Sequence, residues 1–428
     1  MTGNGANPGA RRVVITGMGA ITPLGLDLPS SWANCREGKG GVAPITLFDT
    51  AAAPVTFAAE VKGFDAAEVL GRKEARRSSR FIHFAQVASR EAVTDAGLDV
   101  SAEPEDVGVI IGSGVGGLDI SERASIINHE AGWRRVSPFT VPALIPDMAA
   151  GMVAIDLGAK GVNFCVVSAC ATGGHSIGEA AEVIRRGDAV AMIAGGTEAG
   201  ITSVGISAFA IAQALSMRND DPEHASRPFD LDRDGFVCGE GAAIVVLEDL
   251  EHARTRGARI HGELVGYGAN CDANHITQPC ADGQGAIGCM QRALRKAGRR
   301  PDEVGYINAH GTSTQLNDAA ETLAFKAVFG EAAYTIPVSS TKSMTGHMLG
   351  AAGAFEAIVC LLAMRDRYLP PTINLETPDP ACDLDYVPNV GRAAAPTLCV
   401  STSFGFGGHN SALALAAYEE GGRAASTS

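Results

Sequence analysis

The chain has 428 residues, enough for two or three average domains or for one large α/β unit built from two similar halves. Hydrophobic residues make up 46% and charged residues 19%, which excludes a disordered or collagen-like chain. The formal net charge of -14 argues against a general nucleic-acid binder, because phosphate backbones are bound by basic surfaces.

Neither the cysteines nor the first residues indicate a secreted protein. The ten cysteines include no CxxC pair, so we expect buried thiols rather than a disulfide framework or a zinc site. The opening MTGNGANPGARR lacks the apolar segment of a signal peptide. We therefore expect a cytoplasmic protein, and we assign no metal site.

Strands alternate with helices along the chain. The strand RRVVITG precedes the helix PSSWANCREG, and the pattern continues through the strands VGVIIGSG and AVAMIAGG. This alternation predicts an α/β fold. The apolar stretch 351–364 contains Glu356 and is too short to span a hydrocarbon layer of ~30 Å, so it predicts a buried helix.

The sequence contains two internal repeats. Residues 104–117 (PEDVGVIIGSGVGG) align without a gap with residues 301–314 (PDEVGYINAHGTST). Residues 166–175 (VVSACATGGH) align with residues 338–347 (VSSTKSMTGH) if one residue is inserted. Two repeats in the same order predict a duplication of one structural unit.

We place the boundary between the two units in the polar segment 254–259. This gives an N-terminal half of residues 1–258 and a C-terminal half of residues 259–428, with a disordered tail predicted from about residue 419. The carboxyl ends of equivalent strands converge in such an arrangement, so we expect the residues on the repeated loops to form one site.

Cys170 lies in VVSACATGGHSIGEA, where an apolar strand turns into a helix rich in small residues. This pattern is similar to a nucleophile elbow. A thiol at a helix N-terminus is close to the positive end of the helix dipole, which lowers its pKa. An isolated cysteine is usually a small packing residue, but the small neighbours of Cys170 leave its approach open. We therefore predict that Cys170 is a nucleophile.

Two histidines and a lysine lie on the repeated loops of the C-terminal half. His310 directly follows the strand VGYI, and His347 lies in STKSMTGHMLGAAG, where a helix starts. Lys342 precedes His347 in an apolar neighbourhood, where an ammonium group needs a partner. We predict that this partner is Glu356, on the following helix.

Two glycine-rich segments are less specific. Gly112, Gly114 and Gly117 have the G-x-G-x-x-G spacing of a dinucleotide-binding loop, but the repeated segment AHGTST lacks it, which argues against a nicotinamide cofactor. Residues 403–410 (SFGFGGHN) form a turn with two phenylalanines, which fits either a gate over a site or an ordinary hairpin.

Basic residues are concentrated in two segments of this acidic chain. Runs of charge are usually solvated surface. Concentrated positive charge on an acidic protein also fits the docking of an acidic partner. The predicted docking residues are Arg72, Lys73, Arg76, Arg77, Arg134 and Arg135.

The segments SACATGGH, NAHGTST, STKSMTGH and SFGFGGHN, in this order, resemble the β-ketoacyl-[acyl carrier protein] synthases of the thiolase fold, most closely the elongating type II enzymes of fatty acid synthesis. The resemblance covers nearly the whole chain. It implies a five-layered α-β-α-β-α fold, a homodimer and no bound cofactor. It also implies substrates carried on the phosphopantetheine arm of acyl carrier protein.

The resemblance implies a decarboxylative Claisen condensation that lengthens an acyl chain by two carbons. Cys170 would accept the acyl chain, and His310 and His347 would stabilise the enolate formed when malonyl-carrier protein loses CO2. Lys342, paired with Glu356, would order His347. Thiolases of similar fold use a second cysteine as the acid-base group, and initiating synthases have an asparagine in place of His347, so the Cys-His-His set favours elongation.

The resemblance also implies the residues that surround the substrate. Phe404 would supply the second N–H group of the oxyanion hole, next to that of the nucleophile, and would act as the gate. Thr312 and Thr314 would contact the pantetheine arm. Val115 and Phe209 would line the acyl pocket.

Two other functions remain open. A ketosynthase of a type II polyketide or polyene pathway uses the same chemistry and pairs with a chain-length-factor subunit, so a heterodimer is the alternative assembly. A non-catalytic subunit of the same fold lacks the nucleophile, and the presence of Cys170 with two histidines argues against it.

Overall fold

The computed structural model describes residues 11–419, so the predicted disordered tail lies outside the described residues except at its first position. Within this range the strands are β1 (Val13–Ile21), β2 (Ala43–Pro44), β3 (Phe57–Ala58), β4 (Val107–Gly112), β5 (Asn163–Phe164), β6 (Ala191–Glu198), β7 (Gly241–Asp249), β8 (Gly262–Cys271), β9 (Tyr306–Asn308), β10 (Val338–Ser339), β11 (Tyr368–Leu369), β12 (Arg392–Ala393), β13 (Leu398–Gly405) and β14 (His409–Ala416).

The α-helices of the same range are α1 (Leu28–Arg36), α2 (Ala66–Val69), α3 (Arg72–Ala75), α4 (Arg80–Ala96), α5 (Leu118–Ala131), α6 (Thr140–Leu144), α7 (Met148–Leu157), α8 (Thr172–Arg186), α9 (Ser203–Ile211), α10 (Leu250–Thr255), α11 (Gln284–Ala297), α12 (Gln315–Phe329), α13 (Lys342–Thr345) and α14 (Ala352–Asp366). None of the helices described is long and apolar enough to cross a membrane.

The main sheet has ten strands and is symmetric about its centre. Its order is β10-β9-β13-β14-β8-β1-β7-β6-β4-β5. On one side, β7 is antiparallel to β1 and β6, and β6, β4 and β5 are parallel. On the other side, β14 is antiparallel to β8 and β13, and β13, β9 and β10 are parallel. The two halves therefore have the same topology, which confirms the predicted duplication.

The two halves of the sheet join through a short contact between β1 and β8, in which Val14 pairs with Glu263 and Ile15 with Gly262. The boundary predicted at residue 258 falls between α10 and β8 and stays a prediction.

The helices form three layers around the two halves of the sheet. Helices α8 and α14 contact strands of both halves and lie between them, whereas α4 packs on the outer face of the first half and α11 on that of the second. Every residue of α14 from Ala352 to Met364 is buried, as expected for a helix that is apolar on all sides. The buried helix predicted from the sequence is thus the middle of the fold.

The repeated sequence segments occupy equivalent places in the two halves. The first repeat covers β4 and β9 with the loops that follow them, and the second covers the segment just after β5 in one half and β10 with its following loop in the other. Cys170 follows β5, and Lys342 follows β10. The central helices α8 and α14 begin just after the loops that carry Cys170 and His347. The fold therefore brings these loops of the two halves to one place.

Candidate active site

Cys170 lies in a one-turn 3-10 helix, Ala169–Ala171, that leads directly into α8. Ala169 has a φ of +50°, a left-handed conformation that is unfavourable for residues other than glycine and is found at strained functional turns. The backbone N–H of Ser168 donates to the Thr172 hydroxyl at 2.9 Å and closes the turn. The chain thus makes a sharp turn between a strand and a helix, with the cysteine at its tip.

The Cys170 thiol is buried, with 8% of the residue exposed. Burial raises the pKa of this thiol to about 12; the Lys342 charge acts in the opposite direction, and the Glu198 charge adds to the rise. Our expectation that the helix terminus gives a low thiol pKa was therefore wrong, because desolvation of the thiolate outweighs the favourable dipole. The resting group is a protonated thiol.

The sulfur of Cys170 has two backbone N–H donors, and one of them belongs to a residue that was not predicted from the sequence. The backbone N–H groups of Cys170 and Phe406 both point at Sγ and lower the pKa of the thiol. We had placed this donor on Phe404, but Phe404 lies in β13 opposite Asn410. Its ring instead packs edge-on against the ring of His310, with 5.6 Å between the centroids.

His310 is held by a buried carboxylate. Its backbone N–H donates to Glu321 Oε1 at 2.8 Å, and the N–H of Gly311 donates to Glu321 Oε2 at 2.8 Å. The Thr402 hydroxyl also donates to this carboxylate, at 2.8 Å. Burial raises the pKa of Glu321 to about 7, while the N–H of Gly311 acts against the rise. Glu321 fixes the backbone that carries the histidine, and no sequence motif indicated it.

The protonation of His347 is set by its backbone surroundings. Its Nδ1 accepts a hydrogen bond from the N–H of Leu349 at 3.3 Å, so the neutral ring carries its proton on Nε2. Nε2 has no partner among the described residues. The N–H of His347 donates to the carbonyl of Val237 at 2.7 Å, which fixes the loop. The ring therefore presents a free donor, 5.4 Å from His310 between centroids.

Lys342 and Glu356 form a buried ion pair beside the histidines. The Nζ atom donates to Glu356 Oε1, and the two side chains are 1% and 2% exposed. Burial raises the pKa of Glu356, while the ammonium group lowers it. Burial, followed by the charge of Lys342, lowers the pKa of His347 and of His310 well below the ordinary value. Both rings are therefore neutral near pH 7.

Cys170, His310 and His347 converge, because the sulfur and one ring nitrogen of each histidine lie within 4.8 Å of one another. One cysteine and two histidines are a ligand set that zinc uses. Nε2 of His347 carries a proton, however, and has no lone pair to offer. The arrangement therefore fits a nucleophile facing hydrogen-bond donors better than a metal centre.

The three residues open onto a cavity of about 590 Å³. The four predicted substrate contacts, Val115, Phe209, Thr312 and Thr314, all line it. The hydroxyl oxygens of Thr312 and Thr314 are 2.9 Å apart. The glycine-rich loop that carries Val115 is thus part of this wall.

The predicted docking residues are on the surface. All six are exposed. The guanidinium of Arg77 lies over the ring of Phe139, 5.1 Å from its centroid, and that of Arg134 lies over Trp133 at 5.1 Å. Because Phe139 follows Arg134 by only five positions in the chain, the contact of Arg77 brings the two basic segments onto one surface.

Comparison with known proteins identifies the family. The family model "Beta-ketoacyl synthase, N-terminal domain" matches residues 10–253, and "Beta-ketoacyl synthase, C-terminal domain" matches residues 261–376. The chain therefore belongs to the beta-ketoacyl synthase family, which places it among the acyltransferases. The resemblance predicted from four sequence segments is confirmed.

Relatives match along the whole chain. The 3-oxoacyl-[acyl-carrier-protein] synthase 2 of Synechocystis sp. is 53% identical over 415 residues, which cover 97% of this chain and 100% of the relative. A solved complex of a type II PKS acyl-carrier protein with its ketosynthase bound to the hexaketide matches with a TM-score of 0.89 and 35% identity, over 96% of this chain and 100% of that chain. The ishigamide ketosynthase/chain length factor gives the same values. These matches confirm the thiolase-like fold.

The site makes a prediction about histidine titration. Because the pKa of each of His310 and His347 lies well below the ordinary value of about 6.5, we expect neither ring to titrate between about pH 6 and 8. NMR of protein with labelled histidine rings measures this, with His310→Asn and His347→Asn assigning the two signals. A midpoint near 6.5 for either ring would contradict the prediction.

Proposed function

We propose that this protein is an elongating β-ketoacyl-[acyl-carrier-protein] synthase of fatty acid synthesis. The observation that carries the proposal is the convergence of Cys170, His310 and His347 within 4.8 Å beside a cavity of about 590 Å³. The 53% identity to a 3-oxoacyl-[acyl-carrier-protein] synthase 2, against 35% to the type II PKS ketosynthase, favours the fatty acid pathway. A cytoplasmic location belongs to the same proposal. The reaction needs no bound cofactor, because the thioester activates the acyl carbonyl and the loss of CO2 supplies the carbanion.

In the first step Cys170 accepts the acyl chain. Its sulfur attacks the carbonyl carbon of an acyl thioester, and the N–H groups of Cys170 and Phe406 donate to the resulting oxyanion. Each such donor typically contributes ~3 kcal/mol of transition-state stabilisation. The C–S bond to the carrier arm then breaks, and the proton of the cysteine thiol leaves with the departing sulfur. A protonated resting thiol is compatible with this balance.

In the second step the malonyl group loses its carboxylate as CO2, and the electron pair of the broken C–C bond forms an enolate. The Nε2–H of His347 donates to the enolate oxygen, and the ring of His310 supplies the second interaction. The enolate carbon attacks the acyl carbonyl on Cys170 and the C–S bond breaks. The released thiolate takes a proton from solvent.

The same cavity accommodates the substrates. The paired hydroxyl groups of Thr312 and Thr314 provide polar contacts for a pantetheine arm, and Val115 and Phe209 provide an apolar wall for the acyl chain. The backbone N–H of Phe406, on the glycine-rich turn, is the second donor at the Cys170 sulfur. We therefore assign the role of gate over the cavity to this turn rather than to Phe404 alone.

Replacing the nucleophile tests the proposal. We expect Cys170→Ala to abolish condensation, whereas Cys170→Gln retains malonyl decarboxylation because its amide oxygen occupies the oxyanion hole in the manner of an acyl carbonyl. Mass spectrometry of the products and release of CO2 measure the two reactions. Cys289→Ala removes a buried thiol from α11 and is expected to leave both unchanged. Elongation by Cys170→Ala would overturn the assignment.

We further propose that the basic surface binds acyl carrier protein. Four of its residues lie in or beside α3 and two in the 3-10 helix Trp133–Arg135. The match to a ketosynthase solved with its acyl-carrier protein supports a carrier as partner. A concentration of positive charge on a protein with a net charge of -14 favours an acidic ligand at this surface.

Charge reversal at Arg76 and Arg77 tests the docking surface. We expect the double change to glutamate to raise the KM for carrier protein about tenfold with little change in kcat, because the reacting groups are untouched. Arg292 and Arg295, which are exposed on α11, provide a matched double reversal that is expected to have no effect. An unchanged KM in the Arg76 and Arg77 variant would place docking elsewhere.

We propose that the protein forms a homodimer through the end of its sheet. Strand β5 is the last strand and pairs only with β4 among the described residues. Phe164 and Val167, in and just after β5, are 41% and 54% exposed, and Ile155 on the adjacent α7 is 73% exposed. An unpaired apolar edge is a template for pairing with another chain. The alternative partner is a subunit similar to a chain length factor.

Native mass measurement distinguishes the two assemblies. We expect the purified protein to have twice the mass of the chain, and Phe164→Asp to shift it towards monomer because a buried charge at the interface is costly. Val390→Asp places the same charge at a residue that is 76% exposed and is expected to leave the dimer intact. Dimers formed only with a coexpressed second subunit would favour the alternative.

A further inference from the structure

Glu198 is a buried carboxylate at the end of β6 that the proposed reaction does not use. We propose that Glu198 is a positioning residue that couples the acyl-binding wall at Val115 to the loop that carries His347. Through this coupling, the length of the acyl chain bound on Cys170 changes the rate of malonyl decarboxylation. This inference rests on the proposed function, because it concerns the same cavity and the same two steps.

The carboxylate connects three segments that are far apart in the chain. Oε1 accepts hydrogen bonds from the Ser113 hydroxyl at 2.7 Å and from the N–H of Val115 at 3.3 Å. Oε2 accepts from the N–H of Gly114 at 2.8 Å and from the N–H of Gly350 at 3.0 Å. One side chain therefore binds both the loop after β4 and the loop after α13.

Both ends of this connection reach the reacting groups. Val115 lines the cavity, and 36% of the residue is exposed. On the other side, Leu349 directly precedes Gly350, lines the same cavity and donates the N–H that keeps the proton of His347 on Nε2. A displacement of Val115 by an acyl chain is thus transmitted to the donor that acts on the enolate.

The two loops are packed too tightly to move independently. A Cβ atom at Gly350 would lie 2.7 Å from the nitrogen of Gly114 and 3.0 Å from Glu198 Oε2. A Cβ atom at Gly114 would lie 2.7 Å from the same oxygen. Closely packed interiors transmit displacements because they have little free volume. The coupling therefore runs through backbone contacts and one shared carboxylate.

The charge of Glu198 gives a second, independent readout. Burial raises the pKa of Glu198, whereas the Ser113 hydroxyl and three backbone N–H groups lower it. Four donors to its two oxygens fit the ionised form. Burial is the main cause of the raised pKa of the Cys170 thiol, and the Glu198 charge adds to it against the effect of Lys342. Loss of this charge is expected to lower the pH at which Cys170 reacts.

Two variants separate geometry from charge. Glu198→Asp keeps the charge but is one methylene too short to reach both loops. Glu198→Gln keeps the length and two acceptor contacts at its amide oxygen but loses the charge and the two contacts to Oε2, so it is used only for the readout of charge. Glu60→Gln is the matched control, because Glu60 is 2% exposed and accepts from the N–H groups of Thr46 and Leu47, away from the cavity. Circular dichroism and thermal unfolding check that each variant is folded.

The experiment compares malonyl-carrier protein decarboxylation by enzyme alkylated on Cys170 with a short or a long alkyl iodoacetamide. We expect the two rates to differ about fivefold in wild type and in Glu60→Gln, and to become equal in Glu198→Asp. The pH profile of Cys170 alkylation, read by mass spectrometry, is expected to shift to lower pH in Glu198→Gln and to stay in place in Glu198→Asp and Glu60→Gln.

A purely structural role would lower thermal stability without these effects. Equal rates for the two alkyl chains in wild type, a difference that persists in Glu198→Asp, or an unshifted alkylation profile in Glu198→Gln would each overturn the inference. Absence of decarboxylation by wild type with either alkyl group would instead refute the proposed function. The alkylation profile needs no condensation, so the two failures are distinguishable.

Discussion

Two helices occupy the space between the halves of the sheet, and the positions of Cys170 and His347 depend on this constraint. The nucleophile lies one turn before α8, and His347 lies in the loop before α14. Both helices are almost fully buried, so neither can shift without creating voids in the packed core on each side. The duplication thus does more than repeat a fold, because it places two helix starts from distant parts of the chain next to each other.

The starts of α8 and α14 meet in a buried region, and this burial determines the protonation of the side chains in the site. Charged forms are costly where water is excluded, so the thiol keeps its proton and both histidines stay neutral. Lys342 is paired with Glu356, which compensates its charge within the same buried region. The pair also keeps a positive charge close to the neutral rings, which prevents them from taking up a proton. A site built from neutral donors follows from its position in the middle of the fold.

Much of the fold was predictable from the sequence, because the strand and helix patterns and the two repeats are local or periodic features. The candidate residues Cys170, His310 and His347 stand on those repeats. The choice between Phe404 and Phe406 was not predictable, since both lie in one glycine-rich turn and only the register of β13 with β14 separates them. The thiol pKa was missed for a different reason, because desolvation depends on the whole surrounding structure.

Glu321 and Glu198 also escaped the sequence analysis. Each is a single acidic residue without a motif, and its importance comes from the backbone N–H groups that happen to surround it in three dimensions. Helical or strand periodicity indicates that a position is buried, but it does not indicate which distant loop lies opposite. Residues of this kind are recognised only when the hydrogen bonds of each buried carboxylate are traced individually.

The basic surface has a consequence for the way partners approach. A chain with a net charge of -14 repels acidic molecules over most of its surface, and ions screen this field beyond about 8 Å at physiological salt. An acidic macromolecule is therefore attracted locally where the positive charges of Arg76 and its neighbours are concentrated. This uneven distribution of charge favours collisions in which an acidic partner already faces the basic surface before any specific contact forms.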